Sequence, residues 1–317
     1  MIFIDKQLEN PDISVYKKNL WKRKDGTKTT LAQRDLENSI LHYSNPLNFN
    51  NNEKLTKKGF TYKAYAHAET KKVLKEVFNN KCAYCESSIM HIEPGDIEHF
   101  RPKAEIHTEN GTVLKPGYYW LGADWKNLLL SCIKCNRSNN ESINIPNTTL
   151  INMGKANHFP LSDETKRLRL HTDTIDDEDA FVLILNPCTE NPSNHLVFED
   201  NGEVKSIDKK GEQSIAVYGL FRADLVLKRS KASIEIQQSL FLLTRAVQAL
   251  ELATINNTPT DLAITVLETH KAILEVSFHK DAEYLALKRQ KLQRFIANNP
   301  ISHQKLMDKG IDLNSLQ

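Results

Sequence analysis

The chain has 317 residues, 40% hydrophobic and 26% charged, a composition of soluble globular proteins with one large or two modest domains. No apolar run approaches the ~18 residues of a membrane span, and the opening Met1-Ile-Phe-Ile-Asp-Lys6 lacks the basic-then-apolar order of a secretory signal, so no membrane association and a cytoplasmic location are expected. Forty-two basic against forty acidic residues leave a formal charge of +2 and a pI near 8.1, short of the ~9 expected of a chain coated for nucleic acid.

Residues 1–60 are polar and basic, with Lys17, Lys18, Lys22, Arg23 and Lys24 around Trp21, and read as an extended arm carrying one or two short helices. Over 62–80, Ala64, Ala66, Val73, Leu74, Val77 and Phe78 recur at helical spacing until Asn79-Asn80 stops them. Strand-like segments follow at Asp96–Phe100 and Val113–Trp120, parted by the Asn110-Gly111 turn signal, then a short helix over 136–141. A strand is expected at Phe181–Leu185 and a hairpin around Asn201-Gly202. From about Glu212 to Ala297 come three or four amphipathic helices, with Leu225, Leu227, Ile234, Ile236, Leu240, Leu243 and Val247 in one run. The fold class is α+β. Its segments are an N-terminal arm (1–60), a cysteine-clamped central domain (61–160), an acidic connector with a short hairpin (161–210) and a helical C-terminal region (211–317).

Charge is unevenly spread. Residues 54–81 hold Lys54, Lys57, Lys58, Lys63, Lys71, Lys72, Lys75 and Lys81 against Glu69 and Glu76, whereas 163–203 is acidic. The near-neutral total therefore conceals a basic stretch leading into the central domain, suited to phosphate and sensitive to salt.

Four of the five cysteines form two C-x-x-C pairs, Cys82/Cys85 and Cys132/Cys135. Two thiolates three positions apart share one face of an ion, so the two pairs together suit a tetrahedral structural Zn²⁺. A redox-active pair would need a thioredoxin-like context that is absent and would not explain two pairs. Cys188 is left over, a half-buried thiol at a strand end without assigned function.

Between the pairs stands Asp96-Ile-Glu-His-Phe-Arg-Pro-Lys103, and later Trp125-Lys-Asn-Leu-Leu-Leu-Ser-Cys-Ile-Lys-Cys-Asn-Arg137. Adjacent Glu98 and His99 on a strand point to opposite faces, so one can hold a metal while the other faces a water. Read in order, Cys82/Cys85, Glu98-His99, Asn127-Leu128, Cys132/Cys135 and Asn136 resemble the HNH (ββα-metal) endonucleases. The likeness is to the branch with the motif Ile-Glu-His-Phe-Arg-Pro-Lys, which includes the PtuB-type nuclease subunits of Septu and retron anti-phage systems. The motif core covers about residues 82–140. Asn157-His-Phe-Pro-Leu161, Leu185-Asn-Pro-Cys188 and Asn194-His-Leu-Val-Phe198 look like longer members of the branch.

The resemblance implies a zinc-clamped ββα-metal core that hydrolyses DNA phosphodiesters. His99 would be the general base, Glu98 and Asn136 would hold a catalytic Mg²⁺ or Mn²⁺, and Asn127 would orient the His99 loop. Arg101, Lys103 and Arg137 would contact phosphates. Glu98, the residue that the branch itself carries, stands where many of these enzymes have Asp, and Asn136 where many have His, which disfavours Zn²⁺ at the catalytic position. His158 is read as structural, and His91 and His107 as surface residues or supports of the site. RNA, as in a toxin-type ribonuclease acting on tRNA, is the alternative substrate. A zinc-clamped binding module without catalysis is the other alternative, but it would have no use for an acid-His pair beside a metal ligand. The resemblance also implies an ABC-like ATPase acting in trans, because the chain has no G-x-x-x-x-G-K-[S/T] motif. The helical C-terminal third could dock such a partner, although a self-sufficient helical core is the simpler reading; no motif specifies an oligomeric state.

Overall fold

The computed structural model describes residues 1–7, 9–48, 59–89, 93–143 and 149–316. At the N-terminal end, α1 (Ser14–Lys17) is followed by a hairpin of β1 (Trp21–Lys22) and β2 (Lys28–Thr29), then by α2 (Leu31–Tyr43). Thr30 caps α2 by accepting from the Gln33 N–H, and Leu31, Asp35, Ser39 and Tyr43, four apart, form its buried face. The buried Asp35 carboxylate takes the N–H groups of Lys63 and Ala64 at 2.6 and 2.7 Å, fixing the next segment to α2. The expectation of an extended arm is thus corrected: Val15, Tyr16, Leu31 and Tyr43 belong to the main core. The one or two short helices expected there are α1 and α2, and the polar Gln33, Arg34, Glu37 and Asn38 occupy the outer face of α2.

The expected helix over 62–80 is α3 (Ala68–Val77), shorter because residues 61–67 run irregularly across the core with Tyr62 and Ala64 buried. It stops where expected, with Asn79 and Asn80 left-handed at φ 48° and 55°. Next come β3 (Asp96–His99), the two-residue pair β4 (Ile106–His107) and β5 (Val113–Leu114), β6 (Leu128–Ser131), α4 (Ile133–Asn136), β7 (Asn139–Ser142) and β8 (Leu150–Met153). Val113–Trp120 is therefore no continuous strand: Pro116 lacks an N–H for a ladder, and Tyr119–Leu121 turns into a single 3₁₀ turn. Residues 139–142 are strand rather than helix, because they pair antiparallel with β8, Asn139 opposite Met153.

Phe181–Leu185 follows α5 (Asp176–Asp179) and is not a strand. It is an apolar run, buried from Val182 to Leu185, whose backbone is satisfied piecemeal by Pro160, Ser162 and Ser214. A short buried run of this kind carries no period to tell it from a strand. The hairpin expected around Asn201-Gly202 is present as β9 (Leu196–Phe198) and β10 (Val204–Ser206), with Gly202 at φ +86° in its turn.

Five helices follow: α6 (Lys209–Val217), α7 (Ala223–Asn256), α8 (Asp261–Phe278), α9 (Leu285–Asn298) and α10 (Pro300–Asp308). Of the expected stripe on α7, Leu225, Ile236, Leu240, Leu243 and Val247 are buried, whereas Leu227 and Ile234 face outward. Apolar side chains form two clusters. The larger runs from the N-terminal elements through the cysteines to Leu225 and Ala232; the smaller packs α7, α8, α9 and α10 around Leu243, Leu274, Leu292 and Leu306. The architecture is therefore mixed helix and small antiparallel sheets, and no described helix is long and apolar enough to cross a membrane.

Candidate metal centre and acid-histidine site

The two C-x-x-C knuckles meet. All four sulfurs lie within 4.8 Å of one another, with Cys85 Sγ and Cys132 Sγ 3.8 Å apart, and all four residues are buried. The first knuckle is held by Ala83 N–H donating to Leu130 O on β6. Behind it Ser88 N–H donates to Glu283 and Ala286 N–H to Glu86. Burial pushes the Cys82 thiol well above its ordinary range, whereas hydrogen bonds from Cys132 and the other cysteines pull Cys85 well below. Four thiols this close and this dry cannot all ionise without a cation, and such a donor set suits a metal such as zinc. Arg222 directs both terminal guanidinium nitrogens at Cys135 Sγ, each 3.5 Å away, a positive group beside the sulfur cluster.

The same knuckles position the acid-histidine pair. β3 and β6 pair antiparallel, Glu98 opposite Leu129 and His99 opposite Leu128, and β6 runs straight into α4 through Cys132. The order is strand, strand, short helix, with residues 100–127 looping out between the strands.

His99 is 5% exposed. Its Nε2 lies 3.0 Å from Gly122 O, to which an Nε2–H would donate, and Nδ1 then accepts from Lys103 Nζ at 3.2 Å. Burial, then the charge of Lys103, holds the imidazole well below its ordinary pKa of 6.5, so it is neutral at pH 7. Burial likewise lowers Lys103 to about 8. Asn127 is also buried, and its side chain makes three backbone bonds: Oδ1 accepts from Arg101 N–H at 2.7 Å, and Nδ2 donates to Arg101 O and Leu121 O. It thereby ties the segment just after His99 to the segment just before Gly122.

Glu98 is buried with Lys155, whose Nζ stands 2.6 Å from Oε1. The angles are not those of a directed hydrogen bond, so Oε1 remains a buried acceptor without one. Burial raises the Glu98 carboxyl above its usual range, against the pull of Lys155. On the same face of β3, Asp96 accepts from Asn136 Nδ2 at 3.0 Å and from Arg137 at 2.8 and 2.9 Å. Glu98 Oε1, ion-paired without a directed hydrogen bond, and the Asn136 amide oxygen are hard oxygen donors, the type of donor that suits a divalent ion.

One expected phosphate contact is corrected. Arg101 is buried, its Nε 2.8 Å from Glu178 and its Nη2 2.5 Å from Asp179, so its charge is spent inside the protein. Arg137 is 60% exposed and Lys103 partly so. Of the basic stretch, Lys54, Lys57 and Lys58 lie outside the described residues, as does His91. Lys81 is buried and donates to Ala282 O, and Lys71 donates to Gly95 O. His158 sits edge-on to His107 with ring centroids 5.2 Å apart, as befits a structural pair. Cys188 is fully rather than half buried, its thiol pushed up to about 12 by burial, and no strand ends there.

Sequence reasoning missed Tyr65, Lys155 and Asp96. Asp96 opens the quoted Asp96–Lys103 motif, and Lys155 lies two residues ahead of the Asn157-His-Phe-Pro segment.

No protein-family profile matches the chain, and no solved structure does. Among curated proteins, the Septu protein PtuA of Bacillus mycoides (strain KBAB4) is 26% identical over 194 residues, 58% of this chain and 25% of that protein. The Septu protein PtuB of the same strain is 40% identical over 217 residues, 65% of this chain and 68% of that protein. With that extent of identity over two thirds of the relative, the chain belongs to the family of the Septu protein PtuB.

Proposed function

We propose that this protein is a metal-dependent HNH endonuclease that hydrolyses DNA phosphodiester bonds, the effector of an anti-phage system that works with an ATPase subunit in trans. The observation that carries this reading is the His99 imidazole held through Nε2 by Gly122 O, with Asn127 bracing both sides of that contact. Such bracing fixes the tautomer and the ring orientation, as a general base requires.

In this reading Lys103 Nζ turns from His99 Nδ1 to the phosphate, and Nδ1 takes a proton from the attacking water, whose oxygen bonds to phosphorus as the bond to the leaving 3′ oxygen breaks. Glu98 and Asn136 would hold Mg²⁺ or Mn²⁺, which supplies Lewis-acid stabilisation of charge on the phosphate and the leaving oxygen. Lys103 and Arg137 would position the backbone without reading sequence. The cysteine set would hold one structural Zn²⁺ that keeps β6 and α4 in place. The partner in trans rests on the likeness to proteins named as two Septu components.

The test is incubation of the purified protein with plasmid and Mg²⁺ or Mn²⁺, beside His99→Ala, with and without the candidate ATPase. Metal-dependent cutting that His99→Ala abolishes supports the reading. Cleavage of tRNA but not plasmid would move the substrate to RNA, and no cleavage of either in any arm would leave a binding module.

A further inference from the structure

Both acidic residues facing one side of β3 are matched by cations of the protein itself: Asp96 by Arg137, and Glu98 by Lys155. The second pairing is built with care. Lys155 is wholly buried, its N–H donates to Cys135 O at 2.8 Å, and the next N–H, of Ala156, donates to Asn136 O at 2.6 Å. Gly154 makes the approach possible at φ +109°, since a Cβ there would stand 1.9 Å from Arg137 O. The Lys155 ammonium then reaches across to Glu98 Oε1 and donates to His99 O at 3.0 Å. The segment after β8 thus sits on α4 and projects one positive charge between the acid and the histidine. Lys103 brings a second to His99.

We propose that Lys155 is a tethered counter-cation of Glu98, and that a divalent ion binds this carboxylate tightly only together with a phosphate of the nucleic acid. The inference rests on the nuclease reading and deepens it. A dication approaching one carboxylate flanked by two ammonium groups meets net repulsion, and affinity at such oxygen sites follows the charge of the ligand set. A phosphate adds the negative charge that the protein withholds. Bare protein would then bind the ion weakly, and the site would assemble on its substrate.

Mn²⁺ binding by the full-length, zinc-loaded protein tests this, with free Mn²⁺ read by electron paramagnetic resonance and Glu98→Gln subtracted to isolate the site. Without DNA, Lys155→Met is expected to bind Mn²⁺ roughly tenfold tighter than the wild type. The wild type is expected to gain a similar roughly tenfold when a cleavage-resistant phosphorothioate duplex is added. Zinc content and melting temperature show whether Lys155→Met is folded, and Lys155→Gln serves as a second neutral variant. Unchanged or weaker affinity in a folded neutral variant overturns the proposal. If both variants unfold, the wild type decides: equal Mn²⁺ affinity with and without duplex overturns it, and tightening supports it. Absence of any Glu98-dependent Mn²⁺ binding, even with duplex, would instead remove the cation site and this inference with it.

Discussion

The Tyr65 ring stands edge-on to the His99 imidazole, centroids 4.7 Å apart and planes at 82°, and the same ring carries Lys103 Nζ 4.5 Å from its centroid. Together they cover the imidazole and keep it uncharged. Because the folded pKa is depressed below 6.5, the unfolded chain binds the proton more readily, so folding loses stability as pH falls below 6.5. Urea unfolding of the wild type and His99→Gln at pH 7.5 and 5.5 reads this difference. The wild type is expected to lose more stability on acidification than the variant; parallel losses would count against a buried neutral imidazole.

Asn127 satisfies one backbone donor and two backbone acceptors at once. Asn127→Ala leaves these groups unpaired and is expected to cost about 2–3 kcal/mol. Asn127→Asp should cost more, since a carboxylate would face two carbonyl oxygens. In either variant the cleavage rate should fall by about tenfold or more while zinc content stays at the wild-type level. Unfolding curves and plasmid assays on the same preparations check both.

Arg101 and Arg137 separate structure from binding. Removing Arg101 strands the buried Glu178, so Arg101→Ala is expected to destabilise by about 3–5 kcal/mol. Arg137→Ala, at an exposed pair with Asp96, should leave stability nearly unchanged. If Arg137 touches a phosphate, its loss lowers the slope of log affinity against log salt by about 1. Fluorescence anisotropy across a salt series measures that slope.

The four cysteines are expected to retain one zinc per chain, measurable by elemental analysis. Cys135→Ser should release it and lower the melting temperature by about 10 °C or more, because metal affinity at such sites is folding free energy. Full zinc content in that variant would show that Cys135 is not a ligand.

What could be read from the sequence was whatever local spacing encodes. The knuckle cysteines, the acid-histidine dipeptide, the Asn79-Asn80 stop and the Asn201-Gly202 turn each announce themselves within a few residues. What could not be read depends on partners far along the chain. Arg101 lies in a motif that invites a phosphate, yet Glu178, 77 residues later, takes its charge. Lys155 reaches a glutamate 57 positions before it. The burial of α2 could not be read because an aspartate, Asp35, lies on its inner face to receive two distant N–H groups. Hydrophobic period finds faces that bury carbon, and it misses those that bury a satisfied charge.

The Arg222 guanidinium against Cys135 Sγ has a consequence for assembly order. Arg222 immediately precedes α7, the helix that joins the two apolar clusters. Apart from the Gly219 and Tyr218 carbonyls that Nη1 also meets, the sulfur cluster is what this cation settles against, so until the sulfurs are gathered the start of the longest helix is less firmly anchored. Closing the cysteine clamp therefore primes the docking of the C-terminal helices. A chain that has lost its metal is expected to loosen first at the root of α7, far in sequence from the cysteines themselves.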